Sequence, residues 1–363
     1  IAVIKKSKSS RRNVTQRDIA DACGVSVMSV SLALRNDTKN LSAATVERIC
    51  AKAQELGYDS SRSLDARRLR YARSGTVVEN QIVAFYLSLR NATGPYFEPL
   101  LEGVSEVLDE ENYALLTNWR ADVESEVCSL PAIFHRGEVD GVFTLSGGDD
   151  VKPILDALRG SSGFGNRPVV GIMEPHKGCS AVLVDDRGGA CALMKHLLDL
   201  GHRKTLCLFS EGYQHRERVA GLRQACEERG LDPNDVMVPA GHLLRGKTLC
   251  VEAFMRFLKE QGECSAVVAG NDYIASNAAT IMRENGLRIP QDISLTGFDD
   301  VIPVTDMNGD NILTTVRIPL KAVARRSAKL LLDRIRGIEP EDRDIRLPVE
   351  FVPRSGTASP PKK

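Results

Sequence analysis

Val27, Met28, Ser29, Ser31 and Leu32 are the first residues in the chain whose types and spacing could do chemistry on a partner. They fall on the outer side of a short helical pattern whose inward stripe is Val30, Ala33 and Leu34 and whose cap is Ser26. The pattern before it starts at Thr15, with Asp18 in the acidic position of a capping box; Ile19, Ala20, Ala22 and Cys23 supply small or apolar contacts. Gly24 breaks that helix, because glycine enters a left-handed turn without steric cost. Two short helices joined by a tight glycine turn make a helix-turn-helix, whose second helix lies in the DNA major groove with its first residues at base edges. The hydroxyls of Thr15, Ser26, Ser29 and Ser31, with Arg35 and Asn36 just beyond, are then phosphate contacts. A helical hairpin in any bundle carries Ala and Gly at the same offsets, so the assignment depends on what surrounds it.

The surroundings favour DNA. Ser42 caps a third helical pattern with Val46, Ile49, Cys50, Ala53 and Leu56 on one face, ending at Gly57-Tyr58. Three helices are enough to bury a small core under the hairpin. Up to residue 75 there are 15 Lys or Arg against 7 Asp or Glu, although the net charge of the whole chain is +0. A basic head on an acidic body is the electrostatic footprint of a nucleic-acid-binding end. Residues 1–13 read as a basic arm whose Lys5, Lys6, Lys8, Arg11 and Arg12 could track phosphates. Asp59 to Thr76 is polar, basic and without a core stripe, and reads as a linker.

From Gln81 the texture changes to strands alternating with helices. Apolar runs at QIVAFYLSL, Tyr113 to Leu116, Val139 to Leu145 and Pro168 to Ile172 give one series. A second restarts near Ser180, with AVLVDD, KTLCLF, Val236 to Pro239, SAVVAG and DISLTGFDD, and helices between them. Such alternation means parallel sheets built from right-handed crossovers, and two series mean two lobes with a cleft at the strand C-termini. The fold class expected is therefore α/β: a three-helix helix-turn-helix headpiece plus a two-lobed core of parallel sheets. A length of 363 residues fits two or three domains, and 42% hydrophobic with 26% charged residues describes an ordinary globular protein.

Other function classes find no support. Nine cysteines are scattered without CxxC spacing or a histidine cluster, so neither a metal nor a disulfide framework is expected, and a reducing cytoplasm is the expected compartment. No run of 18 apolar residues and no signal-peptide pattern is present, so no membrane is involved. GxSxG, a Walker loop and HExxH are all missing, so no catalytic residues and no cofactor are assigned.

VTQRDIADACGVS, SVSLAL and LSAATVERICAKAQELGY together resemble the headpiece of the LacI/GalR family of bacterial repressors, nearly continuously from Val14 to Tyr58. The resemblance continues through GPYFEPLLEGV, VDGVF, VLVDDRGGA, HLLDLGHRK, ERVAGLRQACEERGL, the long segment ending in SLTGFDD, LTTVRIPL and LPVEFVPRSGT, to about Gly356. It implies a core like a periplasmic sugar-binding protein, with three crossovers placed near Ser180, Val316 and Arg346. The domains are then 1–13 (arm), 14–60 (DNA-binding), 61–79 (hinge), 80–356 (core) and 357–363 (tail). Lobe 1 takes 80–180 and 316–346, and lobe 2 takes 181–315 and 347–356.

The resemblance also places Val27 and Met28 at the base-reading positions, where apolar side chains favour thymine methyls. Leu32 stands where relatives often have arginine, which shifts specificity toward shape readout. Ala66-Arg67-Arg68-Leu69 resembles the hinge helix, with Leu69 (or Leu64) as the minor-groove wedge; Ser60-Ser61 departs from the family pattern there. For the effector it implies Tyr96, Phe97, Arg218 and Asp272; Asn271, Ser146 and His242 are added from loop position. An aromatic face stacks on an apolar ring side while Arg and Asp fork onto hydroxyls. Asp272 serves equally as a helix cap. The function implied is a cytoplasmic repressor, a homodimer on a pseudo-palindromic double-stranded operator, controlled by a sugar or related metabolite. The alternative is a solute-binding α/β protein with an accessory N-terminal bundle.

Overall fold

The computed structural model describes residues 14–34, 41–56, 58, 79–88, 94–120, 130–145, 151–245, 248–339, 341 and 343–361. Arg35, Asn36, Leu64, Arg67, Leu69 and Ser146, with the basic arm and nearly all of the linker, lie outside these. The chain divides into two compact units, 1–78 and 79–363.

The first unit holds helices α1 (Gln16–Cys23), α2 (Val27–Ala33) and α3 (Ala43–Glu55). Ile19, Ala20, Val30, Ala33, Val46, Ile49 and Ala53 close its core. Gly24 adopts φ 64° and ψ 37°, the left-handed turn a side chain would strain. Three expected core members differ: Ala22 and Cys50 are exposed and Leu56 remains 36% exposed. With a core this small, only one stripe per helix is covered, and residues a third of a turn away face water.

The second unit contains two parallel sheets. Strands β1 (Ile82–Ser88), β2 (Ala114–Arg120), β3 (Gly141–Leu145), β4 (Val169–Ile172), β5 (Ser180–Val184) and β13 (Asp344–Leu347) form the first, in the order β13-β5-β4-β3-β1-β2. The second has the order β11-β10-β6-β7, from β6 (Thr205–Leu208), β7 (Met237–Pro239), β10 (Ala266–Ala269) and β11 (Ser294–Thr296). Both faces of each sheet are covered, as parallel strands require. Val83 and Phe85 enter one core while Ala84 and Tyr86 enter another. Leu206 and Leu208 likewise part company with Cys207.

Differences from the sequence expectation are instructive. β5 pairs between β4 and β13, so it belongs to the first sheet although the second series was taken to restart there. Residues 173–179 return the chain to the start of the neighbouring strand without a helix, which removes the usual signal of a continuing series. Between the sheets the chain passes at Asp185, after β12 (Thr315–Arg317), and between β13 and β14 (Glu350–Val352); β12 and β14 pair antiparallel. Helices at Ala132–His135, Lys152–Gly160 and Leu320–Ile335 join the expected set. The last packs its stripe of Leu320, Val323, Ala324, Ala328 and Leu331 into the first lobe's core. Residues 356–358, at the junction assigned between core and tail, are tied to the second lobe, with Gly356 O accepting from Leu295 N at 2.9 Å and Ala358 O accepting from Ser294 Oγ at 3.2 Å.

Candidate functional site

Local hydrogen bonds build the headpiece face. Thr15 N and Oγ1 donate to Asp18 Oδ2 at 2.7 and 2.6 Å, and Asp18 N donates to Thr15 Oγ1 at 3.3 Å. Ser29 N donates to Ser26 Oγ at 3.0 Å, and the two hydroxyls lie 2.9 Å apart. Both caps hold down N–H groups that a helix start otherwise leaves open. Val27 and Met28 lie in the first turn of α2, 45% and 66% exposed and outside the headpiece core. Ser29, Ser31 and Leu32 are half-buried beside them. The first turn of α2 thus presents an exposed apolar pair next to the capping hydroxyls.

The core's site is assembled from distant segments. Arg218 lies in the second turn of α8 (Tyr213–Glu228). It is buried, and its three nitrogens are all engaged: Nε donates to Asp186 Oδ1 at 2.7 Å, Nη1 to Gly270 O at 2.7 Å, and Nη2 to Asp299 Oδ1 at 3.1 Å. Its guanidinium carbon sits 3.7 Å from the centroid of the Phe298 ring, a cation–π contact. Asp186 opens α7 (Asp186–Asp199), Gly270 follows β10, and Phe298 and Asp299 follow β11. The cluster therefore gathers at the C-terminal ends of strands, where ligands of such folds sit.

Tyr96 and Met173 bring the first lobe to it. The Tyr96 hydroxyl donates to Met173 Sδ at 3.3 Å, and Gln214 of α8 donates through Nε2 to Met173 O at 3.1 Å. Burial, and then the charge of Asp299, holds the Tyr96 phenol well above its ordinary pKa. The backbone here is strained. Asp299 and Asp300 have φ of 108° and 58°, and Met173 has 60°. Such outliers cost about 1–3 kcal/mol each and persist where the surroundings over-determine them. Asp299 N donates to Val316 O at 2.8 Å, while the Asp300 carboxylate binds Arg317 at 2.8 Å and Arg354 at 2.7 Å.

Burial pushes Asp299 up to about 7, against the opposing pull of Arg218. Asp186 is raised for the same reason, and Arg218 is raised too, since Asp186 and Asp299 outweigh the burial that would lower it. Cation and anions moving the same way reflects stoichiometry: two acids share one guanidinium, which gains more than either acid does.

The other expected effector residues part ways. Asn271, not Asp272, caps α11 (Asp272–Glu284), accepting from Ile274 N at 2.9 Å. Asp272 is fully buried; its Oδ2 accepts from Val301 N and its Oδ1 from Thr315 Oγ1, each at 2.7 Å. One oxygen holds the turn that follows Asp299 and the other holds Thr315 of β12, so Asp272 braces the Arg218 cluster from a fully buried position. Gly297 permits this, because a Cβ there would lie 2.3 Å from Asp272 Oδ1. Burial raises Asp272 to about 6. Phe97 turns inward against Phe85, ring centroids 5.7 Å apart, and is core. His242 is exposed and packs on Phe257. Asp186, Phe298, Asp299, Met173 and Gln214 were missed. Their signal was two pairs of adjacent aspartates, 185–186 and 299–300, each just past an apolar strand. Among the described residues, no His, Cys, Asp and Glu group could hold a metal, and no helix is long and apolar enough to cross a membrane.

Two family models match the chain. Residues 15–61 match the bacterial regulatory proteins of the lacI family, and residues 194–357 a periplasmic binding protein-like domain. The transcriptional regulator CelR of Thermobifida fusca is 28% identical over 345 residues, 94% of this chain and 96% of that protein. A LacI-family regulator from Enterococcus faecium, solved with bound ribose, is 27% identical, with a TM-score of 0.62 over 76% of this chain and 99% of that one. The lac repressor dimer bound to operator and an anti-inducer shares the fold, with a TM-score of 0.57 at 20% identity over 96% of this chain and 100% of that one. With a lacI-family DNA-binding headpiece followed by a periplasmic-binding-protein-like domain, the chain belongs to the LacI family of bacterial transcriptional regulators.

Proposed function

We propose that this DNA-binding regulator is a cytoplasmic repressor acting as a homodimer, each headpiece placing Val27 and Met28 against base edges in one half of a pseudo-palindromic operator. The observation that carries it is the exposed apolar pair on α2, flanked by the cap hydroxyls of Thr15, Ser26 and Ser29 and by Ser31. Apolar side chains there read thymine methyls, and the hydroxyls and cap amides hold phosphates. Arg35, Asn36, Arg67 and Leu69 extend that contact on the family pattern.

A small polyhydroxylated metabolite, of the kind a ribose-bound relative takes, sits between the lobes against Tyr96 and the Arg218–Asp299 pair. It acts through its differential affinity for two arrangements of the lobes, since a ligand that binds both equally shifts nothing. The strained 298–300 turn supports this, because it joins Arg218 to Arg317 and Arg354 at the passages between sheets. A footprint of the full chain on the DNA upstream of its own coding sequence, at moderate salt with and without sugars, tests the reading. Protection of a two-fold-related site whose affinity changes with one sugar is expected. No protection under any of these conditions overturns it.

A further inference from the structure

A cavity of about 370 Å³ opens in the first lobe, lined by Pro175, His176, Lys177, Cys179, Arg343 and Asp344. It lies at the start of two neighbouring strands, since Ser180 opens β5 and Asp344 opens β13. The Arg218 cluster gathers at the other end of β5, where Asp186 follows. A strand rise of about 3.3 Å per residue puts roughly 15–20 Å between Ser180 and Asp186. The cavity wall is held from several sides. Arg159 Nη2 donates to Lys177 O at 2.7 Å, Cys179 N to His176 O at 3.1 Å, and Arg343 N to Ser180 Oγ at 3.3 Å. Gly178 takes φ 72°, and a Cβ there would lie 3.0 Å from Arg159 Nη2. Cys179 packs with Val151 and Leu155, which gives the cavity an apolar side.

Polar capacity is left over along this wall. His176 Nε2 is buried and has no hydrogen-bond partner among the described residues; burial lowers the imidazole to about 4 and so keeps it neutral. A buried nitrogen left so is costly, and such groups are uncommon in folded chains. Arg343 gives Nη2 to Glu339 at 2.6 Å. Its Nε and Nη1, and the ammonium of exposed Lys177, have no partner among the described residues. We propose that this cavity is a second ligand site, separate from the cleft, and that it takes a small organic anion. The carboxylate or phosphate lies between Lys177, Arg343 and the His176 Nε2–H, and the carbon frame rests on Pro175 and Cys179. Bonds from cations to such oxygens are roughly twice as strong as neutral ones. Asp344, the one acid in the lining, is open to a hydroxyl of the same ligand. A volume of this size suits a metabolite, not a macromolecular segment.

The full chain is titrated with glucose 6-phosphate, glycerol 3-phosphate, malate and citrate, and with glucose and glycerol as uncharged controls. Calorimetry gives affinity, and imidazole NMR follows His176, whose signal is assigned by its loss in His176→Gln. At least one anion is expected to bind, about tenfold or more tightly than the uncharged controls, and to move the His176 signal. The phosphate and carboxylate arms then show which headgroup the site takes. No binding by any of the anions overturns the proposal, and so does binding that leaves the His176 signal still.

Lys177→Gln is expected to weaken the bound anion about tenfold, because one charge-assisted contact is gone. Arg343→Gln, measured in parallel, should weaken it in the same direction. Folding of each variant is checked by its unfolding transition, and either folded variant suffices. Tyr96→Phe, in the cleft, should leave the anion's affinity as it is. An affinity that falls in Tyr96→Phe and is unchanged in a folded Lys177 or Arg343 variant assigns the anion to the cleft and overturns the proposal.

Discussion

The two sites differ in how much chain each needs. The exposed face of the headpiece proposed to meet DNA is made between Thr15 and Ala33, by caps that reach three residues along and a single glycine turn. The Arg218 cluster draws on Tyr96, Met173, Asp186, Gly270 and Asp299, spread over some two hundred residues and held by buried charge. A local site depends on a few weak interactions, each replaceable. A distributed site depends on one network, and loses most of its stability when the hub is removed.

Arg218→Ala attacks that contrast hardest. It strands Asp186 and Asp299 without their cation, and breaking such a buried pair costs about 3–5 kcal/mol. Denaturant unfolding at neutral pH should show that loss in the core, with the headpiece transition unmoved. A loss below about 1 kcal/mol, the size of a surface pair, would erase the distinction.

Acid sharpens it next. Burial lowers His176 to about 4, and its Nε2 has no hydrogen-bond partner among the described residues. A histidine depressed in the folded state contributes stability fully present above its ordinary value of about 6.5 and lost as pH falls toward 4. His176 by itself should therefore cost the core on the order of 3 kcal/mol across that window, while Asp299 and Asp272, raised by burial to about 7 and about 6, act in the opposite sense and outweigh it. Relative to the natural chain, His176→Gln should gain stability as pH falls from about 6.5 to about 4. An unchanged pH profile in that variant would count against the buried neutral state.

Legibility follows the same line. Both headpiece caps, the glycine turn and the outer face of α2 can be read from residues a few places apart, as can most strands from their apolar runs. Phe97 and Asp272 could not be placed, because whether a side chain faces core or cleft depends on segments far along the chain, here Phe85, Val301 and Thr315. Asp299 was legible only as one of two adjacent acids; its φ of 108° and its partner Arg218 are products of the tertiary fold. The helix at Leu320–Ile335 has a regular apolar stripe, but it follows directly on the short crossover strand β12.

The headpiece should tolerate more. Gly24→Ala puts a side chain into the left-handed region with open space around it, so only backbone strain of about 1–2 kcal/mol opposes it. Thermal unfolding should show that shift in the headpiece alone. A larger loss, or one shared by the core, would mean that the two units are more tightly coupled than their separate cores indicate.

Selection of binding sites from random duplexes, with the natural chain and with Val27 and Met28 exchanged for a different pair, tests the central claim most directly. The account predicts that preferred bases change at the symmetric positions these two residues face, while half-site spacing is kept. Identical preferences for both proteins would contradict it.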